Sequence, residues 1–194
     1  MYKYNIFIDI IYWYNIAVYN QMDDLIEIRS LFWASGVIEI SNYYHTISQT
    51  CSPVKVESMM REKTKKFLLE TYAFETNDVF FKPTCAINPR FCNSLEEAID
   101  YFCGSVGFVT NNHWTDINFV HSKTKNIGDQ CFSMGSYCFT GINGNTIDAE
   151  YTFIYNSDGK VLVHHSSIPF NNIWNVSGKN VHFYQNRMED VPSI

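Results

Sequence analysis

The tetrapeptide Ile142-Asn143-Gly144-Asn145 and the tripeptide Ser157-Asp158-Gly159 constrain this chain more than any other feature. Asn-Gly and Asp-Gly between apolar runs are strong hairpin signals, because the tight turns that match strand twist need backbone angles glycine adopts freely. The flanking runs, 130–140, 146–156 and 160–167, are rich in β-branched and aromatic residues, as is 114–121 before them. Strands joined so closely can only lie antiparallel.

Upstream, the apolar period is that of a helix. Leu25, Ile28, Leu31, Phe32, Ala34, Val37, Ile38 and Ile40 predict one over about 23–50, weakened by Gly36; 37–40 could alternatively form a short strand. Ser52-Pro53 reads as a cap followed by proline in the first turn of a second helix, reaching about Tyr72. Val79-Phe80-Phe81 is a short strand stopped by Pro83, and Ser94-Leu95-Glu96-Glu97 is a capping box opening one more helix. Helices followed by an antiparallel meander define an α+β fold, and a sheet curled around a long helix would enclose a conical pocket. Residues 1–22 carry Ile6, Ile10, Trp13, Tyr14 and Ala17 at helical spacing and predict an extra N-terminal helix. Residues 23–170 form the main domain and 171–194 a tail, whose Val181-His182-Phe183-Tyr184 is an edge strand or a cover over the pocket.

At 46% hydrophobic and 16% aromatic, 194 residues suffice for one packed core. A net charge of −6 argues against nucleic-acid binding. The basic run Arg61-Glu62-Lys63-Thr64-Lys65-Lys66 fits a solvated helix face. The apolar start is interrupted by Asp9 and two asparagines, which speaks against a membrane span and a secretion signal. The six cysteines form no CxxC pair. Together these features predict a reduced, intracellular, cytoplasmic protein.

The stretch KVLVHHSSIPF, residues 160–170, raises a chemical question. A strand of alternating faces places His165 and Ser167 on one side, His164 and Ser166 on the other. Whichever pair faces inward needs partners, since an unpaired buried polar group costs about 1–3 kcal/mol. Either the fold supplies them structurally, or the strand end is the floor of a site. A metal set can be written from His113, His121, His164, His165, Asp116 and Asp148, yet adjacent strand histidines diverge and no HxH or HExxH spacing occurs. Cys85 with His165 as a nucleophilic pair and Asp100 as a carboxylate base have no supporting signature.

The segments DVFFKPT, EEAIDYF, MGSYCFTGINGNTIDAEYTFIYNSDGK and VHHSSIP, in this order over about 78–169, resemble the iota-class carbonic anhydrases. These in turn are similar to the association domain of calcium/calmodulin-dependent protein kinase II. The resemblance implies a nuclear transport factor 2-like cone and reversible hydration of carbon dioxide to bicarbonate. It implies no cofactor, with a divalent metal such as manganese or zinc as the alternative. By position, Thr84 and Tyr101 match the family's threonine and tyrosine, and His165 with Ser167, or His164 with Ser166, matches its HHSS pair. Thr84, Tyr101, His165 and Ser167 are thus the expected catalytic set, with His164 and Ser166 beside them on the substrate. Histidine, with an ordinary pKa of about 6.5, suits a proton acceptor. Glu150 stands where a basic residue is expected and would repel an anion if it faced the pocket. The resemblance also implies a homodimer or larger homo-oligomer. A non-catalytic association module is the other function it allows, with Trp114, Phe119, Phe132 and Tyr137 on an exposed sheet face. A cone binding a hydrophobic ligand is a third.

Overall fold

The computed structural model describes residues 22–169 apart from 77, 87 and 88. The expected helix within 1–22 and strand at 181–184 lie outside the described residues.

Helix α1, Met22–Ile47, is the long helix the apolar spacing predicts. Ile26, Trp33, Ala34, Val37 and Ile40 recur at steps of three or four and are buried, so 37–40 is mid-helix rather than strand. Helix α2, Pro53–Thr71, opens on proline after an extended Ser52 whose side chain makes no capping bond. Val56, Met60, Phe67 and Leu68 form its buried stripe. Gly36 is where the two helices close up: a Cβ there would lie 2.3 Å from the Phe67 ring.

Strand β1, Phe80–Lys82, leads to helix α3, Leu95–Cys103. Ser94 Oγ accepts a hydrogen bond from the Glu97 amide at 3.2 Å. The Glu97 carboxylate accepts from the Asn93 amide at 2.6 Å, one residue earlier than the standard capping box. Strands β2 (Trp114–Ile127), β3 (Gln130–Gly141), β4 (Thr146–Tyr155) and β5 (Val161–Ser167) form the antiparallel meander. The sheet order is β1-β5-β4-β3-β2, with β1 parallel to β5. Gly144 and Gly159 have positive φ, as their turns require. β2 runs past the expected stop at His121, because Gly128, also at positive φ, and Asp129 make a further tight turn that pairs Ile127 with Gln130. Register shifts after Trp114 and Phe119 bend this strand, adding to the curvature that wraps the sheet over α1.

The core lies between α1 and the concave sheet face. Trp33 stacks on Tyr137 at 5.7 Å and meets Phe139 and Phe153 edge-on. The expectation of an exposed aromatic sheet face is therefore corrected. Trp114 and Tyr137 are buried, and Phe119 packs on Tyr137 and Tyr151; of the four, Phe132 alone is on the outer side. Inward alternation on a curved sheet buries them. Among the described residues no helix is long and apolar enough to cross a membrane.

Candidate active site

Strand β5 pairs with β1 on one side and β4 on the other: Phe81 lies opposite His164, and His164 opposite Phe153. That register decides which half of HHSS turns inward. His164 and Ser166 are 2% and 1% exposed, whereas His165 is exposed and Ser167 half-buried on the outer face. The expectation that placed His165 and Ser167 in the pocket therefore gives way to the other pair. Glu150, on the outer face opposite Ser167, is exposed, so its charge does not enter the interior.

The His164 ring lies 4.8 Å from Phe81 in a parallel stack, 4.3 Å from Phe153, and edge-on to Trp33 at 5.5 Å. Its two nitrogens are both engaged. Nδ1 lies 2.8 Å from the Tyr72 hydroxyl and Nε2 3.4 Å from that of Tyr137. The Trp33 indole donates to Tyr72 Oη at 2.9 Å, and Tyr137 donates to Ser166 Oγ at 2.6 Å. Burial holds His164 well below the usual imidazole range, helped by His165 and the positive charge of Lys82. His164 is thus neutral near pH 7.

Thr84 follows β1 and Pro83. Its backbone carbonyl accepts from Tyr101 Oη at 3.1 Å, while its own buried hydroxyl has no hydrogen-bond partner among the described residues. Tyr101 comes from α3, and its ring meets Phe81 edge-on at 5.5 Å. Phe81 therefore links the Thr84–Tyr101 pair to the His164–Ser166 pair. Burial pushes both the Tyr101 and Tyr72 phenols well above their ordinary value, so both stay protonated. The Lys82 ammonium donates to the Ser166 carbonyl at 2.6 Å; burial lowers its pKa.

Beyond Tyr101 opens a cavity of about 810 Å³, walled by Met60, Cys92, Phe108, Trp114 and Arg61 among others. Of the six expected site residues, Tyr101 alone lines it. Arg61 is clamped by Glu96 and Asp100 at 2.6 and 2.5 Å, so Asp100 is an ion-pair partner on the helix surface, not a free base. Among the described residues no three His, Cys, Asp or Glu side chains cluster as a metal would need. Within the ligand set written from the sequence, His113 stacks on His45 at 4.1 Å and meets Asn42.

Four contributors escaped the sequence reading. Tyr72 and Trp33 carry no local motif; they reach His164 only through tertiary folding. Tyr137, expected on the exposed sheet face, is turned inward by the strict alternation along β3. Lys82 belongs to KPT, the matched segment itself.

A curved, mostly antiparallel sheet over a long helix, with a buried polar strand end, makes this a mixed α+β protein. The chain superimposes on the crystal structure of the iota-carbonic anhydrase from a cyanobacterium complexed with bicarbonate with a TM-score of 0.67 and 21% identity, covering 77% of this chain and 93% of that one. A putative calcium/calmodulin dependent protein kinase II association domain from Xanthomonas campestris gives a TM-score of 0.44 at 24% identity, over 55% of this chain and 74% of that one. A curated metal-independent carbonic anhydrase from Nostoc sp. is 26% identical over 150 residues, 71% of this chain and 69% of the relative. Residues 25–168 match the metal-independent carbonic anhydrase family, and the chain belongs to that family.

Proposed function

We propose that this protein catalyses the reversible hydration of carbon dioxide to bicarbonate, without a metal, between Thr84, Tyr101, His164 and Ser166. The observation that carries this reading is the inward, buried His164–Ser166 pair tied through the Tyr137 hydroxyl, together with a buried Thr84 hydroxyl that has no hydrogen-bond partner among the described residues. An orphaned buried hydroxyl costs about 1–3 kcal/mol unless a ligand or water satisfies it.

In the hydration direction a water oxygen attacks the carbon, one C=O bonding pair moves to its oxygen, and the water loses a proton. Thr84 and Ser166 offer hydroxyl protons to the oxygen that gains charge, while Tyr101, whose proton goes to the Thr84 carbonyl, can accept a hydrogen bond from the attacking water. Holding both reactants in line lowers the entropic cost of bringing them together. The Lys82 ammonium adds positive charge beside Ser166 and favours the anionic product. His164, desolvated, is a weak base; the released proton passes to solvent or buffer on the cavity side of Tyr101.

The test is stopped-flow hydration of carbon dioxide before and after exhaustive chelation. Activity is expected in both samples, lowered at least tenfold in Ser166→Ala and Tyr101→Phe and little changed in Ser167→Ala. Equal losses in the two serine variants would refute the choice of face. Loss on chelation, restored by manganese or zinc, would refute the metal-free chemistry.

A second reading concerns assembly. Phe80, Val163, Ile154 and Phe132 pair edge to edge in one row across the outer sheet face, with Met134 alongside. Phe80 is 67% and Met134 58% exposed, a contiguous apolar row of the kind that self-associates. We propose a homo-oligomer through this face; Phe80→Ser with Met134→Ser should lower the mass in sedimentation equilibrium, and an unchanged mass rejects it. Cys92 and Cys103 are buried in the core, which fits the proposal of a reducing, cytoplasmic setting.

A further inference from the structure

The hydrogen bonds around His164 have a direction. An indole N–H only donates, so Tyr72 Oη accepts from Trp33 at 2.9 Å. The phenol has one proton of its own, and His164 Nδ1 stands 2.8 Å away to receive it. At the other end, Tyr137 commits its single proton to Ser166 Oγ at 2.6 Å, leaving oxygen lone pairs toward His164 Nε2. A neutral imidazole carries one proton on one nitrogen. With that proton on Nε2, every group in the row has a partner: Trp33 gives to Tyr72, Tyr72 to Nδ1, Nε2–H to Tyr137, and Tyr137 to Ser166.

The opposite tautomer fails twice. Nδ1–H would need Tyr72 to accept from two sides, leaving the phenol proton in the fully buried environment of Tyr72 with nowhere to go. Nε2 would face Tyr137, whose proton is already spent on Ser166. Two orphaned buried groups compete against none.

We infer that Trp33 and Tyr72 are positioning residues that lock His164 as the Nε2–H tautomer, so that His164, Tyr137 and Ser166 form a one-way row of donors ending on the substrate. The inference deepens the carbon dioxide reading of the same site and rests on it for the identity of that substrate. It assigns His164 a role different from the expected proton acceptor: its one ring lone pair, on Nδ1, points away from Ser166 and is taken by the Tyr72 hydroxyl. The Ser166 hydroxyl proton, needed by no protein neighbour in the row, is released for a substrate oxygen. Trp33 is on α1, Tyr72 ends α2, and His164 is on β5, so the packing of two helices on the sheet sets a proton position in the site.

The decisive readout is the ring nitrogen resonances of His164 in protein labelled with 15N-histidine, assigned by their absence from His164→Gln. Wild-type protein above pH 7 is expected to show the Nε2–H form over its tautomer by more than about tenfold, the bias of one buried hydrogen bond. Tyr72→Phe removes the donor to Nδ1 and should bring the two forms toward equal population. Trp33→Phe removes the donor that occupies the Tyr72 oxygen, so that oxygen can accept from Nδ1–H and the balance should shift the same way, a second variant should Tyr72→Phe fold poorly. Both should lower kcat for hydration about five- to tenfold with KM little changed. Nδ1–H in the wild type, or an undiminished Nε2–H excess in a folded Tyr72→Phe, overturns the inference. Mixed tautomers with full turnover overturn the positioning role. A wild-type chain inactive in hydration but held as Nε2–H upholds the lock and overturns the carbon dioxide reading, so the two failures are distinct.

Discussion

Buried neutral His164 makes the stability of this protein depend on pH below the ordinary imidazole range. Its folded pKa lies well below the ordinary value because burial penalises the charged ring, while in the unfolded chain it titrates near about 6.5. Above that pH neither state binds the proton and nothing is lost. Below it the unfolded state takes up a proton the folded state refuses, so stability falls as pH falls from the unfolded value toward the folded one. The unfolded state's own proton uptake caps the loss from this one residue at about 1.4 kcal/mol at pH 5.5 relative to pH 8. His45, whose pKa is lowered by burial and by His113, adds a change of the same sign. The assay is urea unfolding at constant ionic strength from pH 8 to pH 5.5, comparing wild type with His164→Gln. The variant should be less stable at pH 8 and lose less on acidification, by about the His164 increment. Parallel pH profiles would refute the reasoning, because the ring would then be accepting a proton inside the folded protein.

The remaining expectations are simpler. Gly36→Ala should gain about 1 kcal/mol from helix propensity and lose about 1–3 kcal/mol to overpacking, since its methyl group would sit 2.3 Å from the Phe67 ring. A net fall in melting temperature of up to several degrees, reversed by adding Phe67→Leu, checks this; a rise would show that the helices separate freely. Glu150→Arg, on the exposed outer face, should leave hydration within twofold and stability within about 0.5 kcal/mol, and a larger gain in activity would mean that this face communicates with the site.

Much of this architecture was legible along the chain. The glycine turns marked the meander, and the apolar stripes marked α1 and α2, because both signals are local. The extension of β2 was missed because its polar far half, 122–126, has no apolar alternation and is held by cross-strand pairing alone. In the site, Thr84, Tyr101 and HHSS could be picked out by resemblance, whereas Tyr72 stands 92 positions from His164 and Trp33 a further 39 before it. No local pattern links residues that meet only when two helices dock on a sheet.

The two-residue period of β5 determines that His164 goes with Ser166 and His165 with Ser167. It cannot say which pair faces in, since a slip of one residue exchanges the faces entirely. Pairing with β1 and β4, including the register shift between Ile154 and Tyr155, makes that choice. Covalent geometry divides the histidines into two faces; strand pairing with Phe81 and Phe153, both buried in the core, selects the one that faces the interior.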